Sequence, residues 1–132
     1  MIHVLDLHFK TDHTIAGFVV ESTEGPVLIE TGPHSVLPYL ENGLASLGYR
    51  LNDVKHVLLS HIHFDHAGAA WALAQAGAQV HVHPFGYRHL LDPTKLYHSA
   101  KRIYGDQMEA LWGDMQPIPE AQLHEVADEA EL

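Results

Sequence analysis

Val57-Leu58-Leu59-Ser60-His61-Ile62-His63-Phe64-Asp65-His66-Ala67-Gly68 is the stretch on which the reading of this chain turns. Its first three residues are an apolar run, long enough for a buried strand and too short for a helix. Its last two open a segment rich in alanine and leucine, Ala67 to Ala76, which reads as a small-residue helix packed on a sheet. Between them lie three histidines and one aspartate in the pattern H-x-H-x-D-H. A strand and a helix therefore fix the two ends of a loop that can aim several side chains at one spot.

The flanks extend the pattern. Val54–Leu59 is a strand and Gly77 stops the helix. Ala78-Gln79-Val80-His81-Val82-His83 alternates as a second strand, ended by Pro84. A strand–loop–helix–strand unit predicts a crossover and parallel pairing. In open α/β sheets the working loops lie at the carboxyl ends of the strands, which is where the histidine loop falls.

Toward the N-terminus, residues 2–9 and 15–21 read as strands, and Val27-Leu28-Ile29 as a third. Thr23-Glu24-Gly25-Pro26 reads as the turn between the last two. The short connections predict an antiparallel meander. Gly32 and Pro33 then lead into a helix over Ser35–Leu47, striped by Val36, Leu37, Leu40, Leu44 and Leu47, with Gly48 as its stop.

Toward the C-terminus, Asp92-Pro93 reads as the N-cap and first residue of a long helix, Thr94–Trp112, with Gly105 inside it. Leu123–Val126 starts another strand. Trp71 and Trp112 read as core. Tyr87, Arg88, Tyr97, Lys101, Arg102 and Tyr104 read as the exposed or packing faces of helices rather than a substrate surface. His81 and His83 share one strand face and read as packed or solvated rather than as site residues.

Composition limits the chemistry. The chain has 132 residues, which is one domain at most. It has no cysteine, so disulfides and thiolate metal sites are excluded and a metal must use His, Asp or Glu. The formal net charge of −10 disfavours nucleic acid and anionic membrane as partners. No apolar run approaches the ~20 residues of a membrane span. Met1–Asp6 lacks the basic and apolar regions of a secretion signal, so a cytoplasmic location is expected.

Imidazole and carboxylate are the ligands of zinc and its neighbours. His61 and His63 can converge on one ion if the loop bends between them. Asp65 and His66 can point to a second position nearby. The competing reading is a surface loop in a chain that holds thirteen histidines. Placement between a buried strand and a helix start argues against it.

The motif resembles the metal-binding signature of the metallo-β-lactamase superfamily. Val27–Pro33 is similar to that family's strand-and-turn ahead of its first helix, with Glu30 where the family usually has Asp. Val57–Ser60 is similar to its motif strand. The resemblance implies an α/β (α+β) fold: the first half of an αβ/βα sandwich, a mixed sheet with helices on one face. It implies that residues 1–83 hold the sheet, helices and metal loop. Residues 84–116 resemble a helical insertion, and 117–132 an acidic end that starts the family's second half.

It also implies that His61 and His63 serve a first zinc and that Asp65 and His66 serve a second. Asp65 then has the catalytic role of orienting the bound water, and Glu30 buttresses the site. Iron and manganese are the alternative metals. The implied activity is a metal-dependent hydrolase using a metal-bound hydroxide on an ester, thioester, lactone or phosphoester of a small-molecule substrate. The alternatives are an iron-dependent redox member resembling persulfide dioxygenases, and a non-catalytic metal-binding fragment. The family draws further ligands from its second half, which finds no counterpart here. A truncated form is therefore the favoured expectation, with a homo-oligomer covering the exposed half-sandwich face as another arrangement.

Overall fold

The protein, seen as a computed structural model, is described over residues 2–7, 16–23, 25–60 and 67–126. Among the described residues, six strands form one sheet in the order β1 to β6. They are β1 (Ile2–Asp6), β2 (Ala16–Ser22), β3 (Gly25–Ile29), β4 (His56–Leu59), β5 (Gln79–Val82) and β6 (Leu123–Glu125). The first three are antiparallel neighbours, and β3 to β6 run parallel. The sheet is therefore mixed, as the strand spacing predicts.

Among the described residues the α-helices are α1 (Leu37–Ser46), α2 (Ala70–Gln75), α3 (Pro84–Leu91), α4 (Thr94–Tyr104) and α5 (Met108–Trp112). Among the described residues no helix is long and apolar enough to cross a membrane.

One sheet face makes the core. Val19, Leu28, Val57 and Val80 are fully buried in adjacent strands, together with Leu40 and Leu44 of α1 and Leu73 of α2. Alternation places these strand residues on one side, because successive side chains point to opposite faces. Helix α1 lies close to β1: a Cβ on Gly43 would sit 3.1 Å from both Leu5 methyls.

Several local readings need correction. Gly25 and Pro26 belong to β3, paired with Ser22 and Glu21, rather than to a turn. Proline is tolerated because pairing with β4 begins only at Val27, so its missing N–H breaks no ladder there. β5 does end before Pro84, which opens α3; the imidazole of His83 caps that helix by accepting the Phe85 N–H.

The long helix expected over 94–112 breaks at Gly105, whose φ is 55°, into α4 and α5 with a 3₁₀ turn between. Asp92 stands one residue further out than a cap-and-first-residue pair would put it: α4 starts at Thr94, and the Asp92 carboxylate accepts both the amide and the hydroxyl of Thr94. Trp71 and Trp112 are half-buried and pack against the core from its margin. The Trp71 indole N–H donates to the Asp114 carbonyl. Of the helical polar set, Tyr87, Tyr97 and Tyr104 pack against the core while Arg88, Lys101 and Arg102 are exposed.

After α5 the chain crosses back against the start of the α1 segment. Asp114 N–H donates to His34 Nδ1, and the Ser35 hydroxyl donates to the Leu111 carbonyl. Gly113 makes the approach, with φ 77° and space for no side chain: a Cβ would lie 2.6 Å from the Ser35 nitrogen. Gly113→Ala is expected to destabilise the fold by more than the ~1–2 kcal/mol of left-handed strain alone, because the overlap is with backbone. Thermal unfolding followed by circular dichroism checks this.

Candidate metal centre

Parallel pairing of β3 and β4 sets the geometry. Leu28 is opposite Val57 and Ile29 opposite Leu58, so both strands end on the same edge of the sheet. Glu30 follows β3 and Ser60 follows β4. The histidine loop, with His61, His63, Asp65 and His66, lies outside the described residues; the structure describes the chain on either side of it.

Both ends of that loop are held by one segment, Glu30-Thr31-Gly32. The Glu30 amide donates to the Leu58 carbonyl at 3.0 Å. The Glu30 carboxylate accepts the Ser60 amide at 2.9 Å, one residue before His61. On the far side, the Ala69 amide donates to the Gly32 carbonyl at 2.9 Å and to the Thr31 hydroxyl at 3.3 Å. The Thr31 hydroxyl in turn donates to the Gly32 carbonyl.

Among the described residues, Glu30 and Thr31 are the buried polar side chains, at 6% and 0% exposure. A buried carboxylate is tolerated only when hydrogen-bonded, and this one accepts a backbone donor. Glu30 also has φ 66°, the one described non-glycine residue with a positive φ. Left-handed backbone costs a non-glycine residue ~1–2 kcal/mol, so the surrounding contacts must hold it there.

The donor chemistry of the loop fits zinc: three imidazoles and a carboxylate, no thiol. The described residues offer no competitor, since no three of their His, Asp or Glu side chains are grouped to hold an ion. The hydrogen bonds from Glu30, Thr31 and Gly32 fix the backbone at Ser60 and Ala69, on either side of the histidine segment.

Two features escape the sequence reading. Thr31 was legible only as part of a turn, although a polar residue at the end of an apolar strand is a signal of interior hydrogen bonding. The second is a row of imidazoles on the other face of the sheet. His56 Nδ1 lies 3.1 Å from His81 Nε2, and the His81 and His124 rings stack at 5.2 Å. His81 therefore has a defined setting, away from the core face. Its pKa is lowered, first by burial and then by the neighbouring His56 and His124.

A mixed six-stranded sheet with helices, and an H-x-H-x-D-H segment directly after the parallel strand β4, narrow the class of protein. The family model described as the metallo-beta-lactamase superfamily matches residues 12–130. The chain belongs to that superfamily.

Among solved structures it is similar to the FEZ-1 metallo-β-lactamase of Legionella gormanii, with TM-score 0.70 and 21% identity over 99% of this chain and 46% of that one. It is also similar to MEM-A1, a subclass B3 metallo-β-lactamase from a soil metagenome library, with TM-score 0.69 and 27% identity over 98% and 44%. An N-acyl homoserine lactonase of Bacillus thuringiensis is 32% identical over 39% of this chain and 30% of its own. The chain thus spans less than half the length of each of these relatives.

Proposed function

We propose that the protein is a metal-dependent hydrolase acting on a small molecule, with an ester, thioester, lactone or phosphoester as the bond cleaved. The observation that supports this most is the clamp: Glu30-Thr31-Gly32 pins the residues before and after an H-x-H-x-D-H loop in a member of this superfamily. The lactonase among the relatives makes a lactone the first substrate class to try.

In this reading His61 and His63 hold one zinc, and Asp65 and His66 hold a second. When bound, such ions polarise the bond to be cleaved and bring the pKa of water toward ~7. Asp65 then orients that water and can take up its proton. Glu30 fixes Ser60 and so sets where His61 begins. The chain carries no cysteine to divert the site toward thiolate chemistry.

The test is hydrolysis of an acyl-homoserine lactone, a p-nitrophenyl thioester and a bis-p-nitrophenyl phosphodiester by the chain supplied with zinc or manganese. Turnover of one of them that chelation removes and zinc restores is the expected result. Turnover indifferent to chelation, or none with any of the three substrates, goes against the reading. Oxygen consumption with iron would favour the redox alternative instead.

A further inference from the structure

The segment that follows the histidine motif is tied twice. The first tie is between backbones: the Ala69 amide donates to the Gly32 carbonyl at 2.9 Å. Two residues beyond these partners stand Trp71 and His34, whose ring centroids lie 4.7 Å apart. Both rings are fastened to the main chain of one residue from a third part of the chain. The Asp114 amide donates to His34 Nδ1 at 3.1 Å, and the Trp71 indole N–H donates to the Asp114 carbonyl at 3.1 Å.

Asp114 is brought there by the residues before it. The Ser35 hydroxyl donates to the Leu111 carbonyl at 2.6 Å, and Gly113 passes so close to Ser35 that no side chain fits. The Asp114 carboxylate takes no part in the second tie. It accepts the Met115 amide and the side-chain amide of Gln116. The side chains that make the tie are therefore those of His34 and Trp71.

We infer that His34 and Trp71 are positioning residues for the metal site, cross-braced through the Asp114 main chain so that the segment leaving the histidine motif is fixed in place. The inference rests on the reading that His61, His63, Asp65 and His66 hold zinc.

Three observations support it. First, His66 lies three residues before Ala69 and five before Trp71, so a shift of that segment is passed on to the last ligands of the motif. Metal ligands tolerate errors of only ~0.2 Å in distance. Second, from Ala67 to Ala74 Trp71 is the only residue with a polar side-chain atom. Ala67, Ala69 and Ala70 are fully buried and pack without direction, so the indole N–H supplies the one side-chain hydrogen bond of this run. Third, the far end of α2 is held separately: the Gln122 side-chain amide donates to the Ala74 and Ala78 carbonyls. The brace thus acts on the end of α2 next to the motif.

The chemistry of the brace suggests how to break and mend it. His34 Nδ1 accepts, so the neutral ring carries its proton on Nε2. An asparagine places an amide oxygen near the position of Nδ1, whereas a leucine offers no acceptor. Phenylalanine at position 71 keeps an aromatic ring and loses the donor.

Zinc affinity of the full chain, measured by competition with a chromophoric chelator, tests this alongside thermal unfolding of the zinc-free chain. Trp71→Phe and His34→Leu should each weaken zinc binding about tenfold, as losing a group that orients a ligand does. His34→Asn should restore most of the affinity. Gln122→Ala removes two hydrogen bonds at the other end of α2; it should lower the unfolding temperature and leave zinc affinity unchanged.

Should His34→Leu fail to fold, Trp71→Phe decides. Wild-type zinc affinity in Trp71→Phe overturns the inference and leaves the metal reading in place. So does an equal loss of affinity in Gln122→Ala, because general destabilisation would then explain the effect. A His34→Asn variant that folds and binds zinc no better than His34→Leu removes the hydrogen bond as the cause. A wild-type chain that takes up no zinc overturns the metal reading and this inference together.

Discussion

Metal bound per chain should fall by about tenfold or more when His61 and His63 are both changed to alanine. Two imidazoles of one site are removed, and a zinc with three or four ligands does not survive on the remainder. The control is His56→Ala with His81→Ala. That pair also places two ring nitrogens within 3.1 Å, but on the opposite face of the sheet and without a third ligand. It should leave metal content unchanged. Metal analysis after dialysis against excess zinc reads both variants. If the loop variant kept its metal and the sheet-face variant lost it, the assignment of the site would be wrong.

The second large effect belongs to Glu30. Glu30→Ala removes the acceptor of the Ser60 amide and empties a buried position, which should cost about 1–3 kcal/mol and lower the melting temperature by roughly 3–10 °C. Because Ser60 precedes His61 directly, metal affinity should fall as well, by about 10–100-fold, the usual penalty for losing a group that orients a ligand. Glu30→Gln separates the causes. Its amide oxygen can still accept the Ser60 N–H, so stability should be largely kept, while any effect of the negative charge on the ions is lost. An alanine variant with wild-type stability and wild-type zinc affinity would remove Glu30 from the account of the site.

The readings that succeeded were those resting on local pattern. The apolar residues of 15–21 and the apolar runs at Val27–Ile29 and Val57–Leu59 mark strands, observed within a residue or two as β2, β3 and β4, and the strand–loop–helix–strand unit yields the parallel pairing of β4 and β5. The motif residues were named from the same stretch; they lie outside the described residues, so the anchors on each side carry the structural argument.

The failures have specific causes. Gly25-Pro26 has the composition of a turn, but strand pairing with β2 overrode it. Gly105 interrupts a continuous apolar pattern because its positive φ turns the chain between α4 and α5.

The sequence by itself determined the period of each element, the run of metal-type ligands at 61–66, and the chemistry open to a chain without cysteine. Only the tertiary structure decided which segments meet. Glu30 and Ser60 are thirty positions apart, and the clamp between them exists because β3 and β4 pair in parallel with Ile29 opposite Leu58. The imidazole row of His56, His81 and His124 depends likewise on the parallel registers of β4, β5 and β6. Side-chain periodicity is written locally, whereas register is a long-range choice, made by burying one face of every strand against the same helices at once.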